Sequence, residues 1–358
     1  MRVVEVLSGL GLGGAEISLA QRLQHQPSHV STSVISSGPS VDMIRNRIRQ
    51  TGASVVELPR QSSPQELISA IRTQSPDVVI THTPRATFKI LSQHQSLGST
   101  PVVVAAHGQT VSDSPHMRIP IAAGLRLVNP RATLHIAVSQ AAANGPWCHC
   151  AQHIEVCHLG SEIDLLDDES IVSTWPNETE LRLLVLSRFV ITKNLARLLK
   201  AVRRIREPFR DTGAHLALVG EGPERERLQA AIRRYEITDI VSLHPYSPVP
   251  SSLLRRTDWL VIPSTHEGGP LTAFEAQLVG TRLAATRVGV IPDIAQLDPS
   301  SVTAPAHTVT DLTRLLNRVL ETGPLNEVER QRRAEAGRRW SIEHTAPRWY
   351  QLIQRRLS

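Results

Sequence analysis

The sequence predicts an α/β protein of two doubly wound parallel-sheet domains. Three observations carry that expectation. The chain has 358 residues, 41% of them hydrophobic, which is enough for two cores. Apolar, β-branched runs alternate with segments of helical spacing, and the alternation restarts midway, beyond an acidic, Pro-interrupted stretch. Two α/β domains of roughly 150 to 180 residues each imply a cleft.

In the first half "RVVEVL", "VSTSVI", "ASVVEL", "DVVITH", "PVVVAAH" and "LHIAVS" each precede a helix-period segment. Continuous apolar runs such as "VVVAA" are expected of parallel strands buried on both faces. Residues 1–165 therefore form the first domain. Residues 166–180 have the composition of a linker. The second domain, 181–340, carries strand candidates "LRLLVLSRF", "AHLALVGEG", "IVSLH", "DWLVIPS" and "RLAATR". Helices are expected near 195–205, 224–234 and 271–279. The segment 341–358 reads as a helix with Ser341 as N-cap and apolar positions at Trp349, Leu352, Ile353 and Leu357.

Several function classes are excluded. No run approaches the roughly 18 apolar residues that span a bilayer. The strand pattern begins at Arg2, leaving no room for an export signal, so a cytoplasmic protein is expected, with peripheral contact at the inner membrane face as the alternative. Cys148, Cys150 and Cys157 cannot form a disulfide framework. They lie among His149, His153 and His158, but without a finger or ribbon spacing, and no metal site is expected. The net charge of +6 suits phosphate groups or acidic surfaces, yet with aromatics at 3% there is no stacking platform for nucleic acid.

Gly9, Gly11 and Gly14 are spaced G-x-G-x-x-G after the first strand. A nicotinamide dinucleotide site also needs an acidic residue at the end of the second strand, where Ser36 and Ser37 stand instead. Gly13 and Gly14 remain suited to an anionic group near a helix N-terminus. In the second domain, "VIPSTHEGGPLTAFEAQLVG" reads as strand, loop and helix, with Pro270 as the first helical residue. Glu267 falls in the loop and Glu275 in the helix. The first-turn amides near Gly269, Leu271 and Thr272 favour a phosphate, and Glu275 offers two acceptor oxygens to the paired hydroxyls of a ribose.

"EGGPLTAFE" resembles the E-x7-E signature of retaining GT-B glycosyltransferases of family 4, the glycosyl transferases group 1. "GGAE", "VAAHG", "LVLSRFVITKN" and "LALVGEGPERERL" resemble that family's further motifs, in family order. The resemblance implies a GT-B architecture, in which two Rossmann-like domains face a central cleft and the last helix crosses back onto the first. Arg188 and Lys193 would clamp the donor diphosphate in place of a metal, Glu267 would contact the sugar, and His107 would face it. Gly13, Gly14, Glu221, Gly222, Gly268 and Gly269 would line the nucleotide, and His82 is a weaker candidate beside His107. Two departures stand out, Ser187 where the family usually has glycine before the arginine, and Asn194 where glycine often follows the lysine.

The expected function is transfer of a sugar from a nucleotide diphosphate donor, UDP by preference, to a glycan or lipid-linked acceptor, with retention and without metal or other cofactor. The segment 112–135, where Arg118, Arg126 and Arg131 mix with apolar residues, would suit a membrane surface. The alternatives are a nucleotide-sugar epimerase of the same fold and a catalytically silent nucleotide-sugar-binding partner.

Overall fold

The computed structural model describes residues 1–11, 13–108, 115–163, 174–247 and 250–357, leaving aside the side chains of Pro115 and His116. Leu12 of the glycine loop, 112–114 of the arginine-bearing segment and 164–173, which hold the start of the expected linker, lie outside the described residues.

The chain divides into two compact units, Met1–Ser161 with Ile342–Ser358, and Glu162–Ser341. The first holds β1 (Arg2–Leu7), β2 (Ser31–Ser36), β3 (Ser54–Glu57), β4 (Val78–Thr81), β5 (Val102–Ala106), β6 (Leu134–Ala137) and β7 (Ile154–Val156). They form one sheet in the order β3-β2-β1-β4-β5-β6-β7, with every pair parallel. β5 is buried at all five positions, as covered parallel strands must be. The helix Ile342–Leu357 lies in this unit, where Trp349, Tyr350 and Ile353 bury beside Val3, Val78, Ile80 and Val103. Leu352 and Leu357 are partly buried at its edge.

The second unit holds β8 (Leu181–Leu186), β9 (Ala214–Val219), β10 (Val241–His244), β11 (Trp259–Ile262), β12 (Arg282–Thr286) and β13 (Val302–Ala304). Their order is β10-β9-β8-β11-β12-β13, again parallel throughout. The three-residue β13 is too short to show in the sequence as an apolar run. Trp175, inside the stretch expected as linker, is buried, and its indole N–H donates to the Leu183 carbonyl at 3.2 Å.

Both sheets reverse strand order beside their first strand, and crevices at such switch points are where open α/β sheets bind ligands. In the first sheet the loops after β1 and β4 flank that point; in the second, the loops after β8 and β11 do. The sequence candidates for chemistry fall in the loops after strands or at the helix starts that follow them, except Glu275, the fifth residue of the helix Leu271–Leu278.

Candidate functional site

In the second unit the chain leaves β8 through Ser187 and Arg188. The glycine turn after β9 holds this segment: the Phe189 N–H donates to Glu221 O at 2.7 Å, and Phe189 O accepts from the Glu224 N–H at 3.0 Å. Gly220 has φ of 151°, and a Cβ there would sit 1.9 Å from Ser187 O, so no other residue permits this approach. Gly222 abuts the Phe189 backbone in the same way. The Arg188 side chain is exposed, with no acidic partner among the described residues. Glu221, expected near the nucleotide, pairs along its own turn with Arg225 at 3.1 Å.

A single 3-10 turn, Ile191–Lys193, then presents Lys193 and ends on Asn194 at φ 60°, in the left-handed region. Asparagine tolerates that conformation better than most residues. Its buried side chain also donates to Pro263 O at 3.0 Å and His307 O at 3.1 Å. Asn194 thus keeps the backbone shape a glycine would allow and adds two bonds that fix the turn. The Thr265 N–H donates to Thr192 O at 2.8 Å, tying the loops after β8 and β11 together.

Lys193 and Glu267 meet there. Lys193 Nζ donates to Glu267 Oε1 at 2.6 Å, and the Ser264 hydroxyl donates to the same oxygen at 2.6 Å. The two side chains are 19% and 11% exposed, so the pair is largely shielded yet open on one side. Behind it, Gly289 at φ 54° lets its chain pass so close that a Cβ would lie 2.3 Å from Gly268 O. Gly268 and Gly269 lead into the helix Leu271–Leu278. Pro270 is its N-cap, extended at ψ 117°, and not the first helical residue expected; its carbonyl accepts from the Ala273 N–H at 2.9 Å. Leu271 is buried, Thr272 is partly exposed, and Glu275 is 7% exposed and so not on a solvated face.

In the first unit Gly13 is the N-cap of the helix Gly14–Gln24 and Gly14 its first residue. A Cβ on Gly14 would meet nothing within 4 Å, whereas one on Gly13 would strike the Glu16 carboxylate. His107 follows β5, and its Nε2 lies 2.8 Å from His82 Nδ1 at the end of β4. His82 Nε2 makes a very short contact with the buried Glu5 carboxylate, which Arg22 NH2 also reaches at 2.9 Å. Burial holds His107 well below the ordinary histidine range, and His82 and Arg22 add to the effect.

Sequence reasoning missed Glu5, Arg22 and Ser264. Glu5 was detectable: a lone carboxylate inside a strand covered on both faces must find a buried partner. Among the described residues no group of three or more His, Cys, Asp or Glu side chains is placed to share a metal ion. Cys148 and Cys157 are buried thiols pushed up to about 12 and about 11 by desolvation.

Residues 167–340 match the family described as glycosyl transferases group 1. Over 105 residues the chain is 36% identical to the 2-deoxystreptamine N-acetyl-D-glucosaminyltransferase of Streptomyces fradiae, covering 28% of this chain and 25% of that one. Over 108 residues it is 35% identical to the 2-deoxystreptamine glucosyltransferase of Streptomyces kanamyceticus, covering 29% and 27%. The chain thus spans about a quarter of the length of these two curated relatives. Among solved structures it is similar to Anabaena Alr3699/HepE in complex with UDP, with TM-score 0.79 and 17% identity over 99% of this chain and 100% of that one. The two parallel-sheet units therefore have the GT-B glycosyltransferase fold, and residues 167–340 are those that match the glycosyl transferases group 1 family.

Proposed function

We propose that this chain is a glycosyltransferase that moves a sugar, with retention and without a metal, from a UDP-sugar to a glycan or lipid-linked acceptor. The Lys193–Glu267 pair carries the reading. A cation and a carboxylate, 2.6 Å apart at the switch point of the second sheet, border the start of the helix that bears Glu275. Lys193, with Arg188 on the same loop, supplies positive charge to the diphosphate, where the leaving group gathers negative charge. The Leu271 and Thr272 amides and the helix dipole add to that charge. Glu275 accepts from the ribose hydroxyls. Glu267, released from Lys193 when phosphate takes its place, accepts from hydroxyls of the transferred sugar. UDP in the structure of the Anabaena relative supports the choice of nucleotide.

The test is calorimetric titration with UDP-glucose in excess EDTA, followed by analysis of the product anomer. Binding persists without metal, and Lys193→Ala and Glu275→Ala each weaken it about 10-fold or more, the worth of a lost charge-assisted or paired hydrogen bond. The product keeps the α configuration. Unchanged binding in both variants overturns the site, and an inverted product overturns retention. Isomerisation of the sugar without release of UDP would point to the epimerase.

A further inference from the structure

The helices Pro84–Ser92 and Pro115–Val128 pack side by side in the first unit. On the second of them Leu125 and Val128 are buried, as one side of a surface helix must be. Its opposite side is apolar as well. Ile119, Ala123 and Leu127 stand at i, i+4 and i+8 and are all exposed, Ile119 at 81% and Leu127 at 76%. Phe88, 45% exposed on the neighbouring helix, extends this face, for its ring lies so close to Gly124 that a Cβ there would come 3.3 Å from Phe88 Cε2. Contiguous apolar surface of this kind marks a place where a partner sits.

The charge around the face has one sign. Arg126 is exposed on the side of Ile119 and Ala123, and Arg85 is exposed three residues before Phe88. Neither helix contains an acidic residue, and between Asp77 and Glu155 the sequence sets only Asp113 against Arg85, Lys89, Arg118, Arg126 and Arg131. Three of those five are engaged or half hidden: Arg131 donates to the Leu91 carbonyl at 2.9 Å, Lys89 donates to the Ser62 carbonyl, and Arg118 is partly buried. Arg85 and Arg126 remain at the rim. A second copy of the chain fits such a face poorly, because a twofold contact presses the same arginines against one another. An apolar layer beneath fixed negative charge satisfies both features. The helix lies on that layer and does not cross it, since its 14 residues reach about 21 Å against the roughly 30 Å of a bilayer core.

We propose that Phe88, Ile119, Ala123 and Leu127, edged by Arg85 and Arg126, dock the first unit onto a bilayer that bears anionic headgroups. The apolar side chains enter the level where headgroups meet acyl chains, and the two guanidiniums pair with lipid phosphates. The docking stands apart from the glycosyltransferase reading; its consequence, that the lipid-linked acceptor is the one used, rests on that reading.

Co-sedimentation of the full chain with vesicles tests it. At about 0.1 M salt the chain binds phosphatidylcholine vesicles containing about 30% phosphatidylglycerol at least about 10-fold more tightly than vesicles of phosphatidylcholine alone. Arg85→Gln combined with Arg126→Gln weakens that binding about 30-fold, and Ile119→Ser combined with Leu127→Ser weakens it about 10-fold or more. All four side chains are exposed, so both variants keep the thermal unfolding curve of the unaltered chain. Absence of binding to the anionic vesicles, or unchanged binding in the folded serine variant, overturns the proposal. Equal binding to the two kinds of vesicle overturns its headgroup part. A dimer in sedimentation velocity that the serine substitutions abolish assigns the face to a second copy and overturns it as well. Vesicle binding without UDP-glucose binding upholds the docking and counts against the transferase reading, whereas UDP-glucose binding without vesicle binding does the reverse.

Discussion

Asn194 offers a sharp quantitative test, because two separate terms act at one residue. Its backbone is held at φ 60°, and its side chain satisfies the Pro263 and His307 carbonyls at 3.0 and 3.1 Å. Asn194→Gly frees the backbone but deletes both bonds, each worth about 1 kcal/mol, and so costs about 2 kcal/mol. Asn194→Ala deletes the same bonds and forces a Cβ into the left-handed region, adding about 1 kcal/mol for a total near 3. At 2–4 °C per kcal/mol for a domain of this size, alanine lowers the Tm by about 6–12 °C and glycine by about two thirds as much. Thermal unfolding followed by near-ultraviolet circular dichroism measures both. Alanine as stable as glycine would refute the backbone argument, and glycine as stable as the unaltered protein would refute the contribution of the two bonds. Asn194 also fixes the turn that presents Lys193, so affinity for UDP-glucose falls in both variants.

Other consequences are equally direct. His135 is fully buried in β6, with neither ring nitrogen partnered among the described residues, and desolvation lowers it from 6.5 to about 4. The unfolded chain takes up that proton first, so the stability is present above pH 6.5 and is lost as pH falls toward 4, by about 3 kcal/mol. In urea titrations at pH 7 and pH 4, His135→Leu removes that part of the acid loss; an unchanged difference between the two pH values would count against it. Gly289→Ala, at φ 54° and 2.3 Å from Gly268 O, displaces the Glu267 loop and weakens UDP-glucose binding about 10-fold by titration. Equal binding would show that this loop does not border the donor. Trp349→Ala, truncating a side chain only 2% exposed, costs the first unit about 3–5 kcal/mol. Amide exchange in β1 and β5 reports it, and unchanged protection there would contradict the packing described.

The fold was largely legible because parallel strands buried on both faces leave apolar runs that helix-period segments do not imitate. The runs "VVVAA" and "LRLLVL" mark β5 and β8 directly. The short β7 and β13 are less distinct, since three residues carry no periodicity. Within the second unit, the spacing of Glu267 and Glu275 singled out one loop and helix as candidates, and the structure brings Lys193 onto Glu267. Spacing does not reveal that Ser264 also serves Glu267, or that Asn194 repays the loss of glycine with side-chain bonds. In the first unit His82 and His107 are 25 residues apart in sequence but 2.8 Å apart in space, because β4 and β5 are neighbours. Glu5 could be suspected from its isolation among apolar residues, but its partners depend on tertiary packing. Pro270 was displaced by one position because its ring fits a cap as readily as a first turn.

The first unit is assembled from two stretches of chain separated by the whole of the second. During synthesis, β1 to β7 emerge from the ribosome long before Trp349, Tyr350 and Ile353 exist to cover Val3, Ile80 and Val103. The earlier-made sheet must wait, one face wet and Arg22 lacking its Tyr350 partner, while the later-made domain has every residue it needs to fold first.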